Sequence, residues 1–225
     1  MPWYLLRHGL ENLCFTSSAF LTIKNQFTKS LATFSIASYL IGIGDRHLEN
    51  FLIDTSDGEI LGIDFGIAFG SGVQLGIPEL MPFRLTQQIE GVIAPHPLEG
   101  VYKQTMVHAL TALRKRKSLI LDTCEIFVKE PLLDWVKDAK AKQKTAASNE
   151  NNQPIVDSLI SEYEEELQEL AWYPRKKLEI VKDKLNGLNP VKILAKELKD
   201  SKHERRPYIK VILRAIEGQP ESVRH

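Results

Sequence analysis

One stretch of this sequence changes its hydrophobic period abruptly. From residue 19 to about residue 40, Phe20, Ile23, Phe27, Leu31, Phe34 and Ser38 recur at steps of three and four, the spacing of one helix face. Soon afterwards come two short apolar runs, Phe51-Leu52-Ile53 and Ile60-Leu61-Gly62-Ile63, separated by the polar segment Asp54-Thr55-Ser56-Asp57-Gly58-Glu59. Runs this short suit strands, and an Asp-Gly step between them is a hairpin signal because glycine takes the positive φ of a tight turn. A lone hairpin is marginal in water. It needs helices to lie against, and the rest of the chain supplies them. The fold class is therefore α+β, mainly α, with one small β-hairpin.

Around that hairpin the punctuation is regular. Residues 3–15 carry the stripe Leu5, Leu6, Leu10 and Leu13; Thr16-Ser17-Ser18 then offers N-caps, and Gly42 and Gly44 stop the long helix. Glycines at 66, 70, 72 and 76 with Pro78 and Pro82 make residues 64–86 loop-like. Helical spacing resumes at Thr86, breaks at Pro95 and Pro97, and continues through 101–113 and 119–136. Residues 140–154 are polar and read as a linker or insertion. Residues 155–170 form an acidic helical stretch, Pro174 opens a helix to about Leu185 that Gly187 and Pro190 end, and further helices cover 191–199 and 209–216.

The hairpin matters because of what stands at its open end. Asn50 immediately precedes the first strand and Asp64 immediately follows the second, so antiparallel pairing brings their side-chain oxygens within reach of one hard cation. Asp45, Arg46 and His47 lie in the same loop as Asn50. Phosphoryl transfer needs this inventory: oxygen ligands for Mg²⁺, a carboxylate to orient the attacking hydroxyl, and a donor or cation for the transferred charge. Asn50 and Asp64 suit the first role, Asp45 the second, and His47 or Arg46 the third.

The strings GIGDRHLENF, GIDFGIAFGS, PELMPFRLT, VHALTALR and FVKEPLLDW resemble the phosphoinositide 3-kinase-related protein kinases, over most of the chain from Trp3 to about Pro190. Ordinary protein kinases read His-Arg-Asp with Asn five residues after the Asp; here Asp45 and Asn50 keep that spacing while the histidine follows as His47. The resemblance implies a kinase C-terminal lobe over 1–139, with a catalytic loop at about 43–51 and an activation loop at about 64–86, the 140–154 insertion, and a C-terminal helical part over 155–225. It implies Asp45 as catalytic base, His47 beside the γ-phosphate, and Asn50 and Asp64 as metal ligands, with ATP and Mg²⁺ as cofactors. It further implies protein substrates phosphorylated on Ser or Thr followed by Gln, DNA-end-binding partners, a nuclear location and a role in double-strand break repair by end joining. Position 67 is Ile where the family members that the chain most resembles usually carry His.

No glycine-rich loop or strand lysine precedes Asp45, and the sequence contains no Gly-Lys dipeptide, which excludes a Walker-type loop. Nor does an aromatic-rich element close the chain. The expectation is a C-terminal lobe without its N-terminal lobe or terminal cap, inactive on its own. Two rivals remain: a phosphoinositide lipid kinase, and a non-catalytic pseudokinase or interaction module. Against the first, residues 65–83 contain no Lys or Arg and Glu79 adds a negative charge, which ill suits a polyanionic headgroup.

Composition narrows the setting. The two cysteines, Cys14 and Cys124, match no metal or disulfide spacing, and no run approaches the ~20 apolar residues of a membrane span. Arg7, His8, Glu11 and Asn12 interrupt any signal-peptide pattern. A soluble intracellular chain is expected. Its 29 Lys plus Arg balance 29 Asp plus Glu, but as blocks: residues 145–174 carry −7 and residues 175–225 carry +7. Such blocks suit pairing with one another better than contact with DNA. His96 and His108 have no ligand partners at useful spacing and are expected at the surface or as satisfied core histidines. The Asp54–Gly58 segment is a turn and not a calcium loop, since its twelfth position is Phe65.

Overall fold

The computed structural model describes residues 2–81, 83–96, 99–129, 175–201, 203–217 and 219–220. Two compact units emerge, one of residues 1–115 with 184–225 and one of residues 116–183. The expected linker at 140–154 and the acidic helix at 155–170 lie outside the described residues.

The first unit is built on one long helix. After α1 (Leu5–Asn12), helix α2 (Ser17–Ile41) starts where the Thr16 hydroxyl accepts the Ala19 N–H. It ends at Gly42, whose φ of 71° allows the N–H groups of Gly42 and Ile43 to return to the Ser38 carbonyl. Its buried face carries Ile23, Phe27, Leu31, Ala32, Ile36 and Leu40. Phe20 and Phe34, expected in the same stripe, are half-buried at its edges. Helices α3 (Gln87–Ile93) and α4 (Val101–Lys115) close over this face with Ile89, Val92, Ile93 and Tyr102. Inside that core the Tyr102 hydroxyl and the Ser35 hydroxyl lie 2.9 Å apart, so neither polar group is stranded.

The hairpin has the expected pairing. Strands β1 (Phe51–Ile53) and β2 (Ile60–Gly62) are antiparallel, with Phe51 opposite Gly62, Leu52 opposite Leu61 and Ile53 opposite Ile60. At the turn, Gly58 takes φ 83° against the backbone of Ile23, and the Asp54 carboxylate accepts the backbone and hydroxyl hydrogens of Ser56. Two contacts bind the ribbon to α2. The Ile60 N–H donates to the Ser30 hydroxyl at 3.0 Å, and the Phe34 ring lies on Gly62, edge-on to Phe51 with centroids 5.4 Å apart.

The described residues of 64–86 are loop as expected, with a 3₁₀ turn at Ser71–Gln74. Beyond residue 184 the first unit resumes with the end of α6 (175–185), α7 (Pro190–Lys199) and α8 (Pro207–Glu217). Pro190, expected as a terminator, is instead the first residue of α7: its missing N–H is no loss there, and the Asn189 side chain caps the Val191 N–H at 3.1 Å. Leu198 and Ile209 pack on Val73, so the C-terminal helices support the loop after the hairpin. His203, 1% exposed, bonds the Leu75 carbonyl through Nε2 at 2.6 Å. The second unit is represented by α5 (Lys117–Lys129) and residues 175–183 of α6. His96 and His108 are exposed.

Two predictions follow from this packing. A Cβ added at Gly62 would stand 2.3 Å from the Phe34 ring. Gly62→Ala is expected to destabilise by about 1–3 kcal/mol in urea unfolding, and Phe34→Leu in the same chain to recover most of that loss. Tyr39 is pushed up to about 12 from 10.0 by burial first, with Glu197 adding to the rise and Arg114 opposing it. Its contribution to stability is intact below pH 10.0 and is lost as the pH rises toward 12, because the unfolded phenol gives up its proton first. Tyr39→Phe should flatten that alkaline fall.

Candidate active site

The two loops at the open end of the hairpin contain almost no regular structure, so their backbone groups need other partners. Arg46 provides many of them. It is 2% exposed, and its Nε donates to the Gly44 carbonyl at 2.9 Å, its Nη1 to the Ile63 carbonyl at 2.8 Å, and its Nη2 to the Asp64 carbonyl. The Phe65 ring covers the guanidinium, 5.4 Å from its carbon to the ring centroid. The planar fork offers donors on three separate nitrogens to three spread-out acceptors, whereas an ammonium has all its donors on one nitrogen. Arg46, expected beside the transferred phosphoryl, is therefore turned into the protein, where it ties the 44–50 loop to the 63–65 loop.

Asn50 continues this bracing. It closes a single 3₁₀ turn (Leu48–Asn50), is 6% exposed, and donates Nδ2 to the Asp45 carbonyl at 2.7 Å. Its own carbonyl accepts the Ile63 N–H at 3.1 Å, extending the ladder one step beyond β1. Asn50 is thus level with Ile63, and Asp64 is one step further along, diagonal to Asn50 instead of directly opposite it. Because one side of the planar Asn50 amide is held by Asp45, its oxygen points the other way.

Asp45 and Asp64 share an unusual backbone. Their φ angles are 57° and 55°, left-handed values that Asp tolerates better than most residues and that concentrate at functional sites. The Asp64 carboxylate accepts the Gly66 N–H at 3.2 Å through Oδ1. Asp45 is half-buried and Asp64 exposed. His47 Nε2 lies 3.9 Å from Asp45 Oδ2, and Nδ1 lies 3.9 Å from Glu49 Oε2, so the imidazole stands between two carboxylates without a short bond to either.

Two features escape sequence reading. Gly44 donates to the Ile67 carbonyl at 2.8 Å, and Gly70 to Gly42 at 2.9 Å, so the loop after Asp64 is laced along the end of α2. Glu79, which the sequence offers only as a negative charge of the 65–83 loop, directs its carboxylate to accept the Asp45 N–H at 2.7 Å. It sits at the wall of a largely apolar cavity of about 470 Å³ that Tyr39, Lys184 and Ile193 also line.

No group of three or more His, Cys, Asp or Glu side chains is placed to hold a metal ion among the described residues. Mg²⁺ bound to nucleotide does not need one, since it keeps waters and phosphate oxygens and takes one or two protein ligands. The Asn50 oxygen and the Asp64 carboxylate are hard donors of that kind, at the same end of the hairpin. They fit such an ion.

The sequence pattern of the phosphatidylinositol 3- and 4-kinases matches residues 9–137. The chain belongs to that family. Among curated relatives, the DNA-dependent protein kinase catalytic subunit of Dictyostelium discoideum is 43% identical over 222 residues, covering 98% of this chain and 5% of that protein. The probable serine/threonine-protein kinase smg1 of the same organism is 42% identical over 121 residues, covering 53% of this chain and 5% of its own length. The chain thus spans about one-twentieth of the relatives it matches. Among solved structures, the FAT and kinase domain of CtTel1 aligns with a TM-score of 0.63 at 23% identity, over 94% of this chain and 13% of that one. At that identity it attests the fold alone, and the mainly helical described residues with their β1–β2 hairpin agree with it. The family resemblance drawn from the motifs is upheld.

Arg46→Ala strands three carbonyls at once and is expected to cost about 3 kcal/mol in urea unfolding. Arg46→Lys should recover only part of this, because the lysine donors all sit on one nitrogen and the planar fork is lost.

Proposed function

We propose that the chain carries the catalytic and metal-binding loops of a Ser/Thr protein kinase that transfers the ATP γ-phosphoryl to protein hydroxyls. The observation that carries this reading is the Asn50–Asp45 bond: one side chain ties the candidate base to the candidate metal ligand, at the end of the hairpin where Asp64 emerges. In this reading Asp45 orients the attacking hydroxyl and accepts its proton. His47 donates toward the transferred phosphoryl. Asn50 and Asp64 hold Mg²⁺, which when bound neutralises phosphate charge as the bond to the leaving oxygen breaks. Arg46 positions both loops and touches neither reactant.

A protein hydroxyl is favoured over an inositol lipid by what the 65–83 loop presents. It contains no Lys or Arg, Glu79 is turned inward, and its outward side chains include Phe65, Ile77 and Met81, 52%, 87% and 74% exposed. Apolar side chains suit a peptide better than a polyphosphate. The relatives' names support a DNA-dependent serine/threonine kinase, and the motif resemblance extends the proposal to a nuclear location, Ser or Thr followed by Gln as the target, DNA-end-binding proteins as partners and end joining as the process. No helix among the described residues is long and apolar enough to cross a membrane.

The test has two arms. In the isotope-labelled chain, Mn²⁺ used as a relaxation probe should broaden the amide signals of Asn50 and Asp64 first, and Asp64→Ala should abolish the effect. Grafted in place of the matching stretch of the Dictyostelium DNA-dependent protein kinase catalytic subunit, the chain should support phosphorylation of a Ser-Gln peptide. Asp45→Asn should lower kcat by about 10²–10⁴-fold. Activity that survives Asp64→Ala overturns the metal assignment, and preferential phosphorylation of phosphatidylinositol overturns the protein-kinase reading.

A further inference from the structure

Asp45 at φ 57° sits outside any helix or strand, so its backbone N–H has no partner built into secondary structure. Glu79, 34 residues further on and in the loop beyond the hairpin, supplies one through Oε2 at 2.7 Å. A carboxylate accepting a backbone N–H is a charge-assisted bond, about twice as strong as a neutral one.

The surroundings are cut to fit that carboxylate. A Cβ on Gly44 would stand 2.9 Å from Glu79 Oε2, and a Cβ on Gly72 would stand 2.8 Å from the same atom. Neither glycine has a left-handed φ, so the requirement is for space and not for backbone freedom. The Glu79 N–H is itself bonded to the Gly72 carbonyl at 3.1 Å, which anchors the residue at both ends of the notch. Behind it Val73 and Leu80 pack against α7 and α8. The carboxylate is therefore held by a supported loop and aimed at one backbone atom of the candidate base.

We propose that Glu79 is a positioning residue for phosphoryl transfer, fixing the left-handed backbone of Asp45 and through it the direction in which the Asp45 carboxylate meets the attacking hydroxyl. This rests on the kinase reading of Asp45. It also makes the geometry of the base depend on the seating of the 71–80 loop, since the strut belongs to that loop.

Amide hydrogen exchange on the labelled chain tests the strut without any need for activity. In Glu79→Gln the Asp45 amide should exchange about tenfold faster, while core amides such as Phe27 and Leu31 keep their protection. Gly72→Ala, which displaces the carboxylate without removing it, should give the same local signature. Unchanged Asp45 exchange in both variants overturns the proposal, and so does a loss of protection throughout the core in both. In the grafted kinase, Glu79→Gln should lower kcat about tenfold with KM for ATP and peptide unchanged, and Glu79→Asp should restore part of the rate. If Asp45→Asn abolishes transfer while Glu79→Gln leaves kcat intact, the positioning role fails and the kinase reading stands. If Asp45→Asn is itself silent, it is the kinase reading that fails.

Discussion

A buried guanidinium holds the two halves of the candidate site together. The loops on either side of the hairpin form few backbone bonds of their own, and Arg46 connects the Gly44, Ile63 and Asp64 carbonyls from a position almost closed to solvent. A charge in that place is tolerable only because its donors meet acceptors and an aromatic face covers it. The register of the hairpin sets where Asn50 and Asp64 leave the sheet. Arg46 then sets how far apart the two loops can drift. With it in place, the Asn50 amide can reach Asp45 and still direct its oxygen elsewhere.

A second layer of constraint is the closeness of approach. The loop after Asp64 is laced to the end of α2 through Phe69 to Ile41, Gly70 to Gly42 and Gly44 to Ile67. A side chain at Gly42 would meet the Gly70 nitrogen at 2.5 Å, and Phe69 takes φ 53°, a costly value for an aromatic residue. Phe69 can hold it because the ring is 5% exposed and the N–H is bonded, so surrounding contacts over-determine the conformation. The long helix thus does two jobs. Its flank carries the core, and its glycine-capped end is the rail along which the site is laid.

How much of this a linear reading can recover depends on what each residue answers to. The helix α2 and the hairpin were legible because they depend on periodicity and on turn chemistry at Gly42 and Gly58, which are local. The Asp45, His47, Asn50 and Asp64 grouping was legible because a short hairpin brings its flanks together whatever lies around it. Arg46 and Glu79 were not. Each looks like a site charge in sequence, and each is turned away from the reacting side to satisfy backbone groups of a distant segment, a choice set by tertiary packing. The pairing of glycines 44 and 72 around a carboxylate could have been a signal only to a reader who already knew that the two loops touch. Pro190 shows the converse: proline before a helical stretch reads equally as an ending and a beginning, and the Asn189 cap decides it.

The same limit applies to charge. Counting residues 65–83 finds no cation, yet the C-terminal segment brings one close from outside the count: Arg206 reaches the Gly76 carbonyl at 3.4 Å and the Tyr208 hydroxyl at 3.0 Å. His203 approaches the same loop one turn earlier, but its ring is buried and its Nε2 serves the Leu75 carbonyl. Where the cations point, and not their number, therefore decides whether a polyanionic headgroup could be held. Arg206 is held to the edge of the loop by an uncharged carbonyl and a phenol, on the margin of a surface whose prominent groups are Ile77 and Met81. Recognition of a multiply phosphorylated ring calls for several converging donors. An arginine already engaged by neutral groups, beside exposed apolar side chains, does not supply such convergence, and that is why the proposed reading takes an extended peptide over a headgroup.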